Sequence, residues 1–131
     1  MYKIIKLKIH RDERGDLVAI ENSKDIPFSI KRVFYIFNTN QNAKRAQHAN
    51  MVAQELIICL RGSCKFLVDD GKGKKMTHLL SSNNEIIHIE PKIWLELSDF
   101  SQNCILLVMS DHHYCREHQI RDYKTFSEAV K

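Results

Sequence analysis

Short apolar stretches separated by polar turns recur along almost the whole chain. Residues 2–9 alternate apolar with basic side chains, as expected for an edge strand whose side chains point to opposite faces in turn. Denser apolar or β-branched stretches follow at residues 17–20, 30–37, 54–60, 64–68, 76–80, 85–89, 94–97 and 104–109. Gly, Asp, Asn and Pro mark the turns between them. Many short strands at close spacing favour a sandwich or barrel over alternating β and α units.

Helical periodicity occurs only at the C-terminal end. From Arg116 onward, apolar residues recur every three or four positions, at Ile120, Tyr123, Phe126 and Val130. A chain of 131 residues can bury one core without metal or disulfide staples. We therefore expect residues 1–131 to form a single all-β domain with a short C-terminal helix.

Charge and cysteine content narrow the class of protein. The formal net charge is +4 and the basic residues are scattered, which argues against a nucleic-acid groove and favours a small anionic ligand. The cysteines have no CxxC spacing, and lysines interrupt the apolar residues at the start of the chain, unlike a signal peptide. No apolar run approaches the roughly 20 residues that span a bilayer. We expect a soluble, cytoplasmic protein with no membrane partner.

Candidate chemistry concentrates between Arg45 and Gly62. His48 and Asn50 would share one face of an extended strand while Ala49 points to the other face. Glu55 follows after four residues, near the start of a dense apolar run, and Gly62 follows after six more, where a hairpin turn is predicted. A rigid sheet would therefore present an imidazole and an amide side by side.

This spacing resembles the first motif of the cupin family: His-x-His, about four residues, Glu, six residues, Gly. Asn50 stands in place of the second His. More narrowly, residues 14–21, 26–37, 68–71, 91–94 and 99–101 resemble the sugar 3,4-ketoisomerases that act on dTDP-4-keto-6-deoxyglucose. The resemblance covers nearly the whole chain. It implies a cupin-type double-stranded β-helix, or jelly-roll barrel, and a homodimer with exchanged N-terminal strands.

Cupin sites usually hold a metal through several His and carboxylate ligands, so the donor set is informative. Asn50 is a poor ligand for a transition metal, and Leu95 stands where the family often places a polar or imidazole side chain. His48 and Glu55 alone would not retain a metal. We expect an isomerase site with neither metal nor cofactor.

The resemblance also implies roles for individual residues. A C4 ketone acidifies the C3 hydrogen, so 3,4-isomerisation needs a base, a donor near the developing oxyanion and exclusion of water. His48 is the predicted base, preceded by Arg45 at the spacing of the family pattern. Asn50 cannot shuttle a proton, but its amide can donate to an enolate oxygen. Tyr35 is the third candidate catalytic group, as a hydroxyl in the site.

Substrate binding is predicted at five positions. Arg14 and Arg32 lie beside motifs of the resemblance, and guanidinium groups form charge-assisted, often bidentate bonds to pyrophosphate. Arg45 and Glu55 belong to the central motif. Trp94 either stacks on a ring of the ligand or plugs one end of the barrel.

Three functions follow from these observations. The first is isomerisation of a dTDP-linked 4-keto-6-deoxyhexose to the 3-keto sugar, which would supply an aminotransferase in surface-polysaccharide synthesis. The second is a non-catalytic dTDP-sugar-binding protein, since Asn50 and Leu95 depart from the family pattern. The third is a related epimerase, which would enolise the same kind of sugar but act at C3 and C5.

Overall fold

Two five-stranded antiparallel sheets face each other in the computed structural model, which describes residues 1–22 and 24–131. The first sheet has, in spatial order, β1 (Tyr2–Lys6), β9 (Glu85–Ile89), β6 (Glu55–Arg61), β11 (Ile105–Ser110) and β4 (Arg32–Ile36). The second has β12 (Gln119–Ile120), β5 (Arg45–Asn50), β10 (Ile93–Ser98), β7 (Cys64–Asp69) and β8 (Lys75–Leu80). This arrangement confirms the predicted all-β jelly roll.

The main core lies between the two sheets, where alternate residues of facing strands meet. Its fully buried members include Ile57, Phe66, Val68 and Leu106. The intervening residues of β6, Leu56 and Ile58, are also buried, because the segment that contains Ile26 and Phe28 covers the outer face of the first sheet. Strand β6 is therefore apolar on both faces, which explains its uninterrupted apolar run.

The C-terminal helix packs on the outer face of the second sheet. Helix α1 (Tyr123–Ala129) begins after Asp122, whose carboxylate accepts a hydrogen bond from the backbone N–H of Thr125 at 2.9 Å. Phe126 of this helix contacts Ala49 and Trp94 in a separate apolar cluster. The predicted start of the helix at Arg116 is wrong, since Arg116–His118 form one 3₁₀ turn and β12 follows. Across the described residues, no helix has the length and apolar character needed to span a membrane.

A two-stranded hairpin projects from the N-terminal part of the chain. Strands β2 (His10–Asp12) and β3 (Gly15–Leu17) pair only with each other, and all six of their residues are exposed. The strand predicted at residues 17–20 is therefore shorter and lies earlier. The hairpin forms no part of either large sheet.

Candidate active site

A β-bulge in β5 fixes the position of His48. Leu95 of β10 pairs with His48, whereas the next residue, Glu96, pairs with Ala46, so Gln47 is an extra residue in β5. Ala46 and Gln47 have φ values of 64° and 52°, in the left-handed region that residues with a side chain seldom adopt. The bulge places the Ala46 carbonyl oxygen 2.9 Å from His48 Nδ1.

This contact determines which nitrogen of His48 is available for chemistry. A carbonyl oxygen can only accept, so Nδ1 carries the proton and Nε2 retains its lone pair when the ring is neutral. Burial lowers the pKa of His48, and the positive charges of Arg121 and Arg32 lower it further, against the opposing effect of the Ala46 carbonyl. His48 is therefore a neutral imidazole at pH 7, with the basic Nε2 lone pair free.

Asn50 belongs to a chain of hydrogen bonds that crosses the site. Its Nδ2 donates to Glu55 Oε1 at 2.6 Å, and its Oδ1 accepts from Gln119 Nε2 at 3.2 Å. Gln119 Oε1 in turn accepts from Arg121 Nη2 at 2.6 Å. Ala49, between His48 and Asn50, is fully buried on the opposite face of β5, which confirms the predicted alternation.

Glu55 is the buried carboxyl group of the site. It is the first residue of β6 and is only 8% exposed. Burial raises its pKa to about 7, and Asp111 contributes in the same direction, while Arg32 and the Asn50 hydrogen bond oppose the rise. Glu55 therefore exchanges a proton with its surroundings near neutral pH, unlike an ordinary carboxyl group.

A polar network holds the start of β6 in place behind Glu55. The Asp111 carboxylate accepts hydrogen bonds from the backbone N–H and side-chain Nε2 of Gln54, at 2.8 and 3.1 Å. Gln54 Oε1 lies 2.8 Å from His88 Nε2, and His112 Nδ1 lies 2.7 Å from Asp111 Oδ1. These bonds join the strands on either side of Glu55 and orient it toward the cavity.

His48 and Glu55 line one cavity of about 340 Å³ between the sheets. The guanidinium group of Arg32 lies over the rings of Phe34 and Tyr114, at 4.4 and 5.0 Å from their centroids. Four cationic side chains line the cavity: Arg32, Lys44, Arg45 and Arg121. The cavity therefore combines a cationic wall with a half-buried base and a buried carboxyl group, which suits an anionic ligand.

The structure brings several of the predicted site residues together. Arg32, Arg45, His48 and Glu55 line the cavity, and Asn50 reaches it through its hydrogen bond to Glu55. Tyr35 does not, which corrects the prediction of a site hydroxyl at this position. Side chains of β4 point alternately to the two faces of the sheet, and those of Arg32 and Phe34 line the cavity. Tyr35 lies between them on the other face, where it is 65% exposed and stacks on Phe37.

Trp94 and Arg14 also lie outside the cavity of their own chain. Trp94 is on the outer face of β10, with its ring centroid 5.4 Å from that of Tyr123 and 5.8 Å from that of Phe126. It packs beneath α1, so ring stacking on the ligand is wrong. Arg14 lies on the exposed hairpin, where its Nη2 donates to Asp12 Oδ2 at 2.7 Å.

Four polar or charged side chains that line the cavity were not predicted from the sequence: Lys44, Tyr114, Gln119 and Arg121. Lys44 directly precedes Arg45, so the basic pair was a usable signal. Gln119 and Arg121 were hidden by the helical periodicity assigned to the C-terminal segment. Strand β12 instead pairs with β5, with Gln119 opposite Asn50. This pairing brings Gln119 and Arg121, which directly follows β12, to the cavity.

The donor set of the site does not fit a metal ion. The Asn50 amide bonds to Glu55, and Leu95 presents an apolar side chain to the cavity. Among the residues that the structure describes, no three His, Cys, Asp or Glu side chains are arranged to hold a metal. His112 is instead paired with Asp111, and Cys115 Sγ donates to Glu117 Oε2 at 3.4 Å.

Facing antiparallel sheets with a polar cavity built on the His-x-Asn and Glu strands define a cupin. The chain belongs to the family described as FdtA: WxcM-like, C-terminal, whose model matches residues 1–131. A TDP-4-oxo-6-deoxy-α-D-glucose-3,4-oxoisomerase of Aneurinibacillus thermoaerophilus is 40% identical over 129 residues, covering 98% of this chain and 91% of that protein.

Solved structures of similar sequence agree with this assignment. A 3,4-ketoisomerase from Helicobacter canadensis is 36% identical, with a TM-score of 0.95 and coverage of 98% of this chain and 96% of that one. A mutant of the 3,4-ketoisomerase QdtA from Thermoanaerobacterium thermosaccharolyticum, with one histidine changed to asparagine, is 31% identical with a TM-score of 0.95. That match covers 98% of this chain and 93% of the mutant, which is in complex with TDP-4-keto-6-deoxyglucose.

Proposed function

We propose that this protein is a 3,4-ketoisomerase that converts a dTDP-linked 4-keto-6-deoxyhexose to its 3-keto isomer. The single observation that carries the proposal is the position of His48 in a cationic cavity, with Nδ1 bound to the Ala46 carbonyl and Nε2 free. Family membership and the ketoisomerase relatives support the same reaction. The isomerisation oxidises nothing overall and needs no cofactor.

His48 removes the proton from C3 and delivers a proton to C4, and the imidazolium formed between the two steps exchanges its proton with solvent. Its neutral Nε2 accepts the C3 proton, which the adjacent C4 ketone makes acidic, and the resulting imidazolium returns a proton to C4. Asn50 Nδ2 has a second hydrogen beyond the one given to Glu55, and it donates to the oxyanion that develops. The cationic side chains hold the pyrophosphate and so place the hexose deeper in the cavity.

The proposal is tested by NMR of dTDP-4-keto-6-deoxyglucose incubated with the protein in D₂O. We expect a 3-ketone with deuterium at C4. Deuterium at C3 and C5 with the ketone still at C4 would identify an epimerase. Binding without any exchange would identify a sugar-nucleotide-binding protein in which the change to Asn50 has removed the chemistry.

We propose further that two chains form a homodimer with exchanged N-terminal strands, in which Arg14 reaches the partner's cavity. All residues of the β2 and β3 hairpin are exposed, and so are Val33 and Tyr35 of β4 and Phe37 directly after it. These features support a protein surface that a second copy covers. A monomeric mass by light scattering, or unchanged dTDP affinity after Arg14→Ala, would contradict this proposal.

We also propose that the reaction takes place in the cytoplasm and that its product serves an aminotransferase of surface-polysaccharide synthesis. The four cysteines are free and three of them are buried, which supports a reducing compartment. Production of a 3-amino sugar when a pyridoxal phosphate-dependent aminotransferase is added to the isomerised substrate would support this use of the product, and recovery of the protein outside the cytoplasmic fraction would contradict the proposed compartment.

A further inference from the structure

The 3,4-isomerisation moves two kinds of proton, and His48 accounts for only one of them. One proton leaves C3 and one is added at C4, and in the same way one proton leaves the C3 oxygen and one is added at the C4 oxygen. Each oxygen proton needs a group that can both donate and accept. Asn50 cannot do this, because an amide does not exchange protons with a substrate at neutral pH. The cavity must therefore supply the second group from elsewhere.

Glu55 has the position and environment for this role. It lines the same cavity as His48, and its Oε1 accepts from Asn50 at 2.6 Å. In the described part of the chain, no hydrogen bond uses Oε2, which leaves this oxygen for the sugar. With a pKa near 7, the carboxyl group is present in both protonation states at the pH of the cytoplasm.

The charged and titratable groups around Glu55 come from several elements. Arg32 of β4 and the hydrogen-bonded Asn50 of β5 favour the carboxylate, and Asp111 after β11 favours the acid. Other titratable side chains line the cavity or a small cleft that Glu55 also lines, namely Lys44, Arg45, His48, His112, His113, Tyr114, Cys115, His118 and Arg121. Burial raises the pKa of Glu55 most, Arg32 and Asn50 partly offset that rise, and the carboxyl group can therefore both give and take a proton.

We propose that Glu55 is a second catalytic residue, which exchanges protons with the sugar oxygens while His48 moves the carbon-bound proton. In the first half, His48 Nε2 takes the C3 proton, the C3–C4 double bond forms, and the C4 oxygen takes the proton of the Glu55 acid. An enediol, an imidazolium and a carboxylate result. In the second half, imidazolium protonates C4, the C3 carbonyl forms, and Glu55 accepts the proton of the C3 hydroxyl. Both groups end as they began.

This assignment rests on the proposed ketoisomerase function and is tested with Glu55→Gln, which keeps the shape and the acceptor for Asn50 but cannot transfer a proton. We expect kcat to fall by about 10²-fold or more, with dTDP affinity changed less than about threefold. The wild-type kcat should fall above about pH 7 as Glu55 ionises, and the residual activity of the variant should lose this decline. Glu90→Gln, the same change on an exposed residue, is the control.

A second variant separates proton transfer from a structural role. Asn50→His supplies a new proton carrier beside position 55. The kcat of the double variant Asn50→His, Glu55→Gln should therefore be at least tenfold higher than that of Glu55→Gln. Infrared titration of the wild type should show a protonated carboxyl group that ionises near pH 7 and is absent from Glu55→Gln. This spectrum remains informative even where a variant fails to fold.

The outcomes distinguish this inference from the function on which it rests. A wild type that produces no 3-ketone would overturn the ketoisomerase proposal and this one with it. An active wild type whose Glu55→Gln variant retains kcat within threefold would overturn only the role of Glu55. A Glu55→Gln variant that is slow but whose kcat still declines above pH 7 would also overturn the role of Glu55.

Discussion

The protonation site of the His48 ring depends on backbone geometry that the sequence does not indicate. Side-chain alternation correctly predicted that His48 and Asn50 share a face, because that rule needs only an extended strand. The contact of Nδ1 with the Ala46 carbonyl could not be predicted, since it requires two consecutive left-handed residues, Ala46 and Gln47. Neither residue is the Gly or Asn that usually marks such a bulge.

Asn50 should tolerate a change to His better than a change to Ala. Asn50→Ala removes the donor to Glu55 and to the developing oxyanion, so turnover should slow by about 10²-fold. Asn50→His restores the family's pair and should preserve or raise kcat. Steady-state kinetics of the two variants measures the difference, and equal losses in both would show that the amide itself is required.

Glu55 should make the folded protein less stable as pH rises. Its pKa is about 7 in the fold against 4.5 when unperturbed, so the folded chain binds more protons than the unfolded chain between these values. The free energy of unfolding therefore falls as pH increases through this window. Glu55→Gln should remove this loss and be more stable than wild type above pH 7, by on the order of 3 kcal/mol. Denaturant unfolding of wild type and Glu55→Gln at pH 4.5 and pH 8 measures this effect. If the two proteins differ in free energy of unfolding by the same amount at both pH values, the prediction is wrong.

The turns between strands were predictable where glycine marks them. Gly62, predicted from the motif spacing, has a φ of 73° and closes the hairpin between β6 and β7. A β-carbon there would overlap Ser101 Oγ and lie 2.6 Å from Asn103 Oδ1. The environment of Trp94 could not be predicted from the sequence. Which face of β10 packs against α1 depends on the position of the helix in the folded chain.

Gly62→Ala should therefore destabilise the protein more than Gly73→Ala. Both glycines have positive φ, but a β-carbon at Gly73 would meet nothing within 4 Å. Gly73→Ala should cost about 1 kcal/mol from backbone strain alone, and Gly62→Ala about 2 kcal/mol or more, because the added atom also displaces neighbouring groups. Thermal unfolding of the two variants gives the comparison. Equal losses would mean that the crowding at Gly62 relaxes without cost.

At the scale of the whole molecule, the fold was more predictable than the assembly of the site. Strand periodicity and turn residues are local, so they predicted a sandwich or barrel, and the resemblance to the cupin family implied the jelly roll. The cavity, in contrast, brings together β4, β5, β6 and the segment of Gln119 and Arg121, which are far apart in the chain. The motif from Arg45 to Glu55 predicted one continuous part of the cavity, and Arg32 was added through the family resemblance.

Four of the 20 lysine and arginine side chains of the chain line the cavity. Arg32→Ala should weaken dTDP binding by roughly 1.5 to 3 kcal/mol, since it removes a charge-assisted contact from a site partly shielded by Phe34 and Tyr114. Affinity of the wild type should also fall between 0.1 and 1 M salt, as screening shortens from about 10 to 3 Å. Titration calorimetry measures both, with the exposed Arg61→Ala as control.

The base of the reaction is the central claim, and the rate of deuterium incorporation at C4 of the sugar in His48→Asn tests it most directly. Removal of the imidazole should abolish incorporation while dTDP affinity stays within about threefold of wild type, because His48 acts on the hexose and not on the phosphates. In the wild type, the same rate should fall as pH drops below 6.5 through the lowered pKa of His48, since only the neutral ring accepts the C3 proton. An active wild type whose His48→Asn variant still incorporates deuterium at C4 would contradict the account, because another group would then remove the proton.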